Sequence, residues 1–384
     1  MHIGLISRSQ VDYAIDLASG FSSEGHPVTL YMDYIHAIAE LGDDKQPVEN
    51  IYRTGLLPKT CKIRLLQTPR MRDLRSFSLF RGLVRAIRED EVDVVHILLN
   101  PGEIWFALLA LSLKDIPVVT TMIVPVANTG ERLPAPVVWG TNKLAVCGSD
   151  MVIVNGTSQV ELVSRIYKIP ADQIAYVPLS LRVEATQWRD RTILEEPATV
   201  LFFGRADQHK GLEYLVKAQP LITREIPDAR ILISAHGDDL DRCVQMIGDH
   251  SKFEIIDGFV PGNVMATFFQ RATLVVLPYI SASTSGVLVT AYSFAKPVVA
   301  SRVGCMTEYV EDGVTGLLVT PKDVKGLADA IVRLLSDKDL CRRMGTSAEE
   351  WMIKLEKSSV KQTIDVYEKA TSIHLKKVHS RHSE

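Results

Sequence analysis

Short apolar runs alternate along this chain with longer stretches in which apolar positions recur at helical spacing. In the first half the runs are His2–Ile6, Val28–Tyr31, Val92–Ile97, Val118–Thr121 and Met151–Val154, with helical patterns at Tyr13–Ser23 and Ile104–Leu113. Runs without a polar side predict strands buried on both faces, the signature of parallel sheets covered by helices. Strand and helix signals in alternation predict an α/β fold. The alternation pauses at Pro178–Ala198, a polar stretch bracketed by prolines, which reads as a linker. It restarts with Thr199–Phe203, Arg230–Ala235, Phe253–Ile256, Thr273–Leu277, Pro297–Ala300 and Gly316–Val319, and the rest of the chain reads as helices only. The pattern predicts two Rossmann-like, doubly wound parallel-sheet domains, 1–180 and 195–357, facing a cleft, with a last helix at about 358–384 folding back onto the first. In such sheets ligands lie at the carboxyl ends of the strands.

Composition narrows the function. The 384 residues are 46% hydrophobic and 23% charged with a net charge of −3, a globular balance without a global pull toward nucleic acid. Any anion site must be local. No apolar run approaches the ~20 residues of a membrane span. The N-terminus lacks a basic region followed by a cleavage site. The five cysteines are scattered without a CxxC pair, which fits reduced thiols in a cytoplasmic chain and no structural zinc. One local charge cluster stands out. Arg70, Arg72, Arg75, Arg81, Arg85 and Arg88 crowd one segment beside Phe77, Leu79, Phe80, Leu83, Val84 and Ile87. Such a face suits peripheral contact with anionic headgroups at the inner face of the membrane or with a lipid-linked acceptor. The plainer reading is a solvated helix face balanced by its own acidic partners, Glu89 to Glu91.

The chemistry-bearing segments lie in the second half. In VLFFGRADQHKGLEYL, Val200–Leu215, a strand ends at Phe203, Gly204 turns the backbone, Arg205 sits at the strand edge, and Lys210 and Gly211 open a helix. Two cations beside the unpaired N–H groups of a helix start suit a diphosphate. His209, beside Lys210, reads as solvent-facing, with an approach to the diphosphate as the alternative. In LPYISASTSGVLVTAYSFAKPVV a small-residue loop, Ser281–Gly286, leads into a helix that Ser283, Thr284 or Ser285 can cap, with N–H groups of Ser285, Gly286 and Val287 toward an anion. In VGCMTEYVEDGVTGLLV, Glu308 follows a glycine turn. His96 reads as ending a strand, either as a structural histidine or facing the cleft, and His236 and Phe259 as lying at later strand ends.

Taken together, Gly204, Arg205, Lys210 and Gly211, then KPVVAS at Lys296–Ser301, then Glu308, Val310, Asp312, Gly313, Gly316 and Val319 resemble the C-terminal half of GT-B glycosyltransferases, specifically glycosyltransferase family 4. The resemblance spans about Val200–Ser336. It is weaker in the first half, at Asp93–Ile97, Pro117–Thr121 and Ser23–Leu30. It implies transfer of a sugar, with retention, from a nucleotide-sugar donor to a hydroxyl of a saccharide, lipid-linked or small-molecule acceptor, without metal or cofactor. It implies that Arg205 and Lys210 neutralise the diphosphate, that Gly204, Ser285, Gly286, Val287, Thr290, Glu308, His236 and Phe259 contact the donor, and that Arg8, His96 and Asn128 lie on the acceptor side. Registered on Lys296–Pro297, the two glutamates of the family's E-x7-E are Ala282 and Thr290, and its histidine near the sugar is Ile123. No general base is legible, so the leaving phosphate is expected to take the acceptor proton. The departures keep open a non-catalytic GT-B module that binds a nucleotide sugar or a partner protein.

Overall fold

The structure, a computed structural model, describes residues 1–41, 47–68, 75–127, 133–181 and 187–382. The chain divides into two compact units. One comprises Met1–Ala127, Leu133–Leu179 and the chain from Lys357 on, and the other comprises Ser180–Glu356.

Among the described residues the first unit holds a seven-stranded sheet of β1 (Ile3–Ser7), β2 (Val28–Asp33), β3 (Lys62–Leu66), β4 (Val94–Leu99), β5 (Val118–Met122), β6 (Met151–Val154) and β7 (Ile174–Tyr176). The second holds a six-stranded sheet of β8 (Thr199–Arg205), β9 (Arg230–His236), β10 (Phe253–Asp257), β11 (Leu274–Leu277), β12 (Val298–Ser301) and β13 (Gly316–Val319). Every strand pair is parallel. The orders are β3-β2-β1-β4-β5-β6-β7 and β10-β9-β8-β11-β12-β13. Each sheet therefore reverses its winding once, between β1 and β4 and between β8 and β11. A crevice opens at such a switch point because the loops on either side leave in opposite directions.

The continuous apolar runs are the central strands. β1, β2, β4 and β5 are buried at every residue. The two strands without a run, β3 and β7, lie at the sheet edges. β3 is held partly by charge. Lys62 and Arg64 both reach Asp90, with Arg64 Nη2 at 2.6 Å, and the Tyr31 hydroxyl donates to the same carboxylate at 2.6 Å. These donors hold the Asp90 carboxyl far below the usual carboxylate range despite its burial.

The polar stretch read as a linker is packed where it is described. Glu196 pairs with Arg271 at 2.6 Å, Glu195 with Lys296 at 2.5 Å, and Arg189 Nη2 donates to the Ser293 carbonyl at 2.6 Å. This strap belongs to the second unit, which begins at Ser180.

The last helix, Lys338–His382, contributes its part from Lys357 on to the first unit. There the Ser359 hydroxyl donates to the Pro178 carbonyl at 2.9 Å, Tyr367 packs on Phe21 with ring centroids 5.5 Å apart, and His374 Nδ1 meets Asp150 at 3.0 Å. Among the described residues no helix is long and apolar enough to cross a membrane.

Candidate active site

The predicted donor residues converge on the carboxyl edge of the second sheet. Arg205 ends β8, and its guanidinium is held by Asp207 at 2.7 Å while 41% of the side chain stays exposed. Lys210 closes a short 3-10 turn, Gln208–Lys210, and Gly211 follows with φ +66 as the cap of helix Leu212–Glu225. A side chain at 211 would collide with the Pro278 carbonyl, so only glycine lets the loop after β8 lie against the loop after β11. The Ile280 N–H donates to the His209 carbonyl at 2.8 Å, fixing that contact. His209 itself is 5% exposed, so it does not face solvent; its loop is folded inward by this pairing.

Tyr279 ties the two loops together. Its ring is 1% exposed, lies 4.0 Å from Lys210 Nζ, and carries a hydroxyl 3.2 Å from Ser285 Oγ. The ring's electron-rich face orients the ammonium without neutralising it. Ser285 caps helix Gly286–Ser293, its hydroxyl accepting the Leu288 N–H at 3.3 Å. The first-turn N–H groups of that helix lack intrahelical partners and carry its partial positive charge. Gly204 packs against Val287, so the β8 cations and this helix start stand on either side of the switch point.

The remaining donor candidates sit on the same edge. Thr290 lies farther along the helix and is 7% exposed. Gly304, at φ +48, packs on the backbone of Ala282, and the Cys305 N–H donates to the Ser283 carbonyl at 3.4 Å. This holds the short helix Met306–Tyr309, with half-buried Glu308, beside the Ser281–Gly286 loop. His236 ends β9 and meets Phe259 edge-on at 6.1 Å, and Phe259 is 55% exposed.

The first unit departs from expectation. His96 does not end a strand. It lies inside β4, fully buried, with Nδ1 at 2.7 Å from the Tyr367 hydroxyl and Nε2 at 2.7 Å from Thr121 Oγ1. Burial pushes its pKa down to about 3, so it is a neutral core residue, and the acceptor-side assignment is corrected. Asn128 lies outside the described residues. Arg8 follows β1 and donates to Thr68 Oγ1 at 3.3 Å.

Beside Arg8 is a cluster the sequence did not flag. The Ser9 hydroxyl donates to Glu103 Oε1 at 2.9 Å, Asn100 Nδ2 donates to Ser9 Oγ at 2.7 Å, and the Asn100 N–H donates to Glu103 Oε2 at 3.1 Å. Ser9 follows β1 and Asn100 follows β4, so this is the switch point of the first sheet.

The arginine segment also changes meaning. Arg70 and Arg72 lie outside the described residues. In helix Arg75–Glu89, Leu83 and Ile87 are buried in the core with Phe80 and Val84 packed against them, so these apolar side chains do not offer a surface to lipid. Arg88 pairs with Asp115 through two bonds of 3.0 Å, and that residue, not Glu89 or Glu91, is its acidic partner. The Arg75 side chain lies outside the described ones, and Arg81 and Arg85 are exposed.

Comparison with known proteins bears on the family and the fold. Residues 197–337 match the family model described as "Glycosyl transferases group 1", and residues 10–180 match "Glycosyl transferase 4-like domain". An alpha-D-kanosaminyltransferase of Streptomyces kanamyceticus is 30% identical over 57% of this chain, and the match spans 59% of that protein. A phosphatidyl-myo-inositol mannosyltransferase of Mycolicibacterium smegmatis is 28% identical over 77% of this chain and 76% of its own length. Among solved structures, a sucrose-phosphate synthase of Thermosynechococcus elongatus superposes with a TM-score of 0.72 at 21% identity, covering 96% of this chain and 98% of that chain. Anabaena HepE in complex with UDP-glucose superposes with a TM-score of 0.69 at 15% identity, covering 97% and 100%. At these identities the likeness speaks for the GT-B fold.

Proposed function

Since the chain belongs to the group 1, family 4-like glycosyltransferases of GT-B fold, we propose that it transfers a sugar from a nucleotide-sugar donor, with retention and without metal, to a hydroxyl of a saccharide, lipid-linked or small-molecule acceptor. The observation that carries this reading is the meeting of Arg205, Lys210 and the start of helix Gly286–Ser293 across the β8/β11 switch point. As the bond from the sugar to the diphosphate breaks, negative charge builds on the leaving group. Two cations and a helix start already aimed at that place stabilise it without reorganising at the moment of reaction. Asp207 and Tyr279 hold the cations in position. His236 and Phe259 offer an aromatic pair to the base or ribose, and Glu308 and Thr290 offer hydrogen bonds to donor hydroxyls.

The relatives support the donor and acceptor classes by what their own names state: mannosyl or kanosaminyl transfer, and a UDP-glucose complex. The same reading places the enzyme in the cytoplasm, with Arg81 and Arg85 as the contact to anionic membrane.

The test is a thermal-shift screen of UDP, GDP, ADP and their sugars, followed by a transfer assay with the donor that stabilises most. Transfer unchanged in R205A and K210A would sink the reading. The absence of glutamate at 282 and 290 favours a second reading, nucleotide-sugar binding without turnover. Stabilisation by a nucleotide sugar with neither hydrolysis nor transfer would select it.

A further inference from the structure

The first unit holds a cavity at the edge of its sheet opposite the switch point. Its volume is about 240 Å³, and all its walls belong to this unit. It lies where the ends of helices Ile104–Ser112 and Ala135–Gly148 meet the last helix. The chain leaves those two helices through Lys114 and Asp150 into β5 and β6, so the cavity sits at the amino ends of these strands. A side chain at 148 would collide with the Ala110 carbonyl, so glycine there lets the two helix ends close on each other.

Three donors fix Asp150 in the wall. Its Oδ2 accepts the Val118 N–H at 3.1 Å and meets His374 Nδ1 at 3.0 Å, and its Oδ1 accepts from Lys377 Nζ at 2.9 Å. A carboxylate only accepts, so Nδ1 carries the ring proton and Nε2 of the neutral ring is an acceptor. His374 lines the cavity, is 8% exposed, and has its Nε2 buried with no partner among the described residues. Buried polar atoms are nearly always paired, so this nitrogen is a binding position for a group that enters the cavity. Lys114 lines the same cavity, is exposed, and has no acidic partner among the described residues, since its neighbour Asp115 is held by Arg88.

We propose that this cavity binds a small phosphate, its phosphoryl group held by Lys114, Lys377 and His374 Nε2. Two ammonium groups, one shared with Asp150, call for an anion. An acceptor nitrogen beside them calls for a group that still has a proton to give. A phosphate monoester, with its second pKa of about 6, supplies both near neutral pH: its P–OH donates to Nε2 and its other oxygens accept from the ammonium groups. If the proton crosses to the ring, the same bond holds with the nitrogen donating. A carboxylate or sulfate at that pH accepts only. Leu111, Leu113 and Val378 line the rest and suit a short carbon body, in a space below the ~300 Å³ of drug-sized sites. Such a ligand ties the last helix to the ends of two others. The site is independent of the transfer reading above.

The test uses the full chain and reads Cys147, whose thiol is exposed at this cavity while Cys61, Cys243, Cys305 and Cys341 are buried. Labelling by iodoacetamide is followed by peptide mass spectrometry. Glycerol 3-phosphate and inorganic phosphate are the probes, and glycerol, acetate and sulfate are the controls at matched ionic strength. A phosphate probe is expected to slow Cys147 labelling saturably, about tenfold at ten times its Kd, and the controls to leave it unchanged. Glycerol 3-phosphate acting at lower concentration assigns the site to an organic monoester, and the reverse assigns it to the free anion. K114A, at an exposed position, is expected to keep the wild-type melting temperature and to raise the probe's Kd about tenfold. H374Q is expected to raise it as well, and R205A to leave it unchanged. The proposal is overturned by labelling that neither phosphate probe slows, by equal protection from sulfate or acetate, or by full protection in both K114A and H374Q.

Discussion

The two switch points share a topology and carry opposite chemistry. At β8/β11 the edge offers Arg205, 41% exposed, and Lys210 on the face of Tyr279, with a helix start opposite. At β1/β4 it offers Ser9, Asn100 and Glu103, linked to one another and drawn inward. An exposed, pre-aimed cation neutralises an arriving anion at little cost of its own. A buried carboxylate, once ionised, would repel an arriving anion by like charge. The same kind of fold edge thus presents exposed cations in one sheet and a buried, hydrogen-bonded carboxyl in the other, and side chains alone make the difference.

The comparison breaks most directly at the cations. R205A and K210A are each expected to lower kcat/KM for transfer by about 10²- to 10³-fold, the usual cost of one pre-aimed charge or donor, measured by steady-state kinetics with the donor from the screen. Retained kinetics would mean that the second edge is not the phosphate site.

A next effect concerns His96, the histidine that belongs to neither edge. Its folded pKa, about 3, lies below the ordinary value of 6.5, so the folded state refuses a proton that the unfolded state accepts. Its contribution is therefore present above pH ~6.5 and is lost as pH falls from there toward ~3, with a slope of at most about 1.4 kcal/mol per pH unit. Urea unfolding of wild type and H96Q across that window should show a flatter pH dependence in the variant. An equal slope would return His96 to the list of reachable site residues.

Smaller effects sharpen the picture. Y279L should weaken binding of the nucleoside diphosphate chosen by the thermal-shift screen about fivefold, near 1 kcal/mol for a lost cation–π contact, whereas Y279F, which keeps the ring, should stay close to wild type in calorimetry. R81A and R85A should each reduce flotation with anionic vesicles by about 1 kcal/mol at low salt. Recovery that does not change with salt or substitution removes the membrane contact.

Much of the fold was legible because the central strands of both sheets are covered on two faces and leave continuous apolar runs. β3 and β7 were missed for the same reason inverted. β3, at an edge, needs no second apolar face and answers to Asp90 through Lys62 and Arg64, and β7 is three residues long. Arg205, Lys210 and Ser285 were legible because each sits in a short local frame of strand, turn and helix. Tyr279 stood within a quoted segment but had no local mark, since its role depends on Lys210 from a different loop.

The sequence by itself determined the α/β class, the place of each central strand, and the cations and caps of the second sheet's edge, because local periodicity and turn chemistry encode them. Tertiary structure decided what depends on distant partners. It buried His96 against Tyr367, 271 residues away in the last helix. It turned Leu83 and Ile87 inward and left Arg81, Arg85 and Arg88 exposed. It brought Ser9 to Glu103 across 94 residues. Such meetings arise only when parallel strands from separate parts of the chain align, and no spacing along the sequence records which carboxyl ends will then lie side by side.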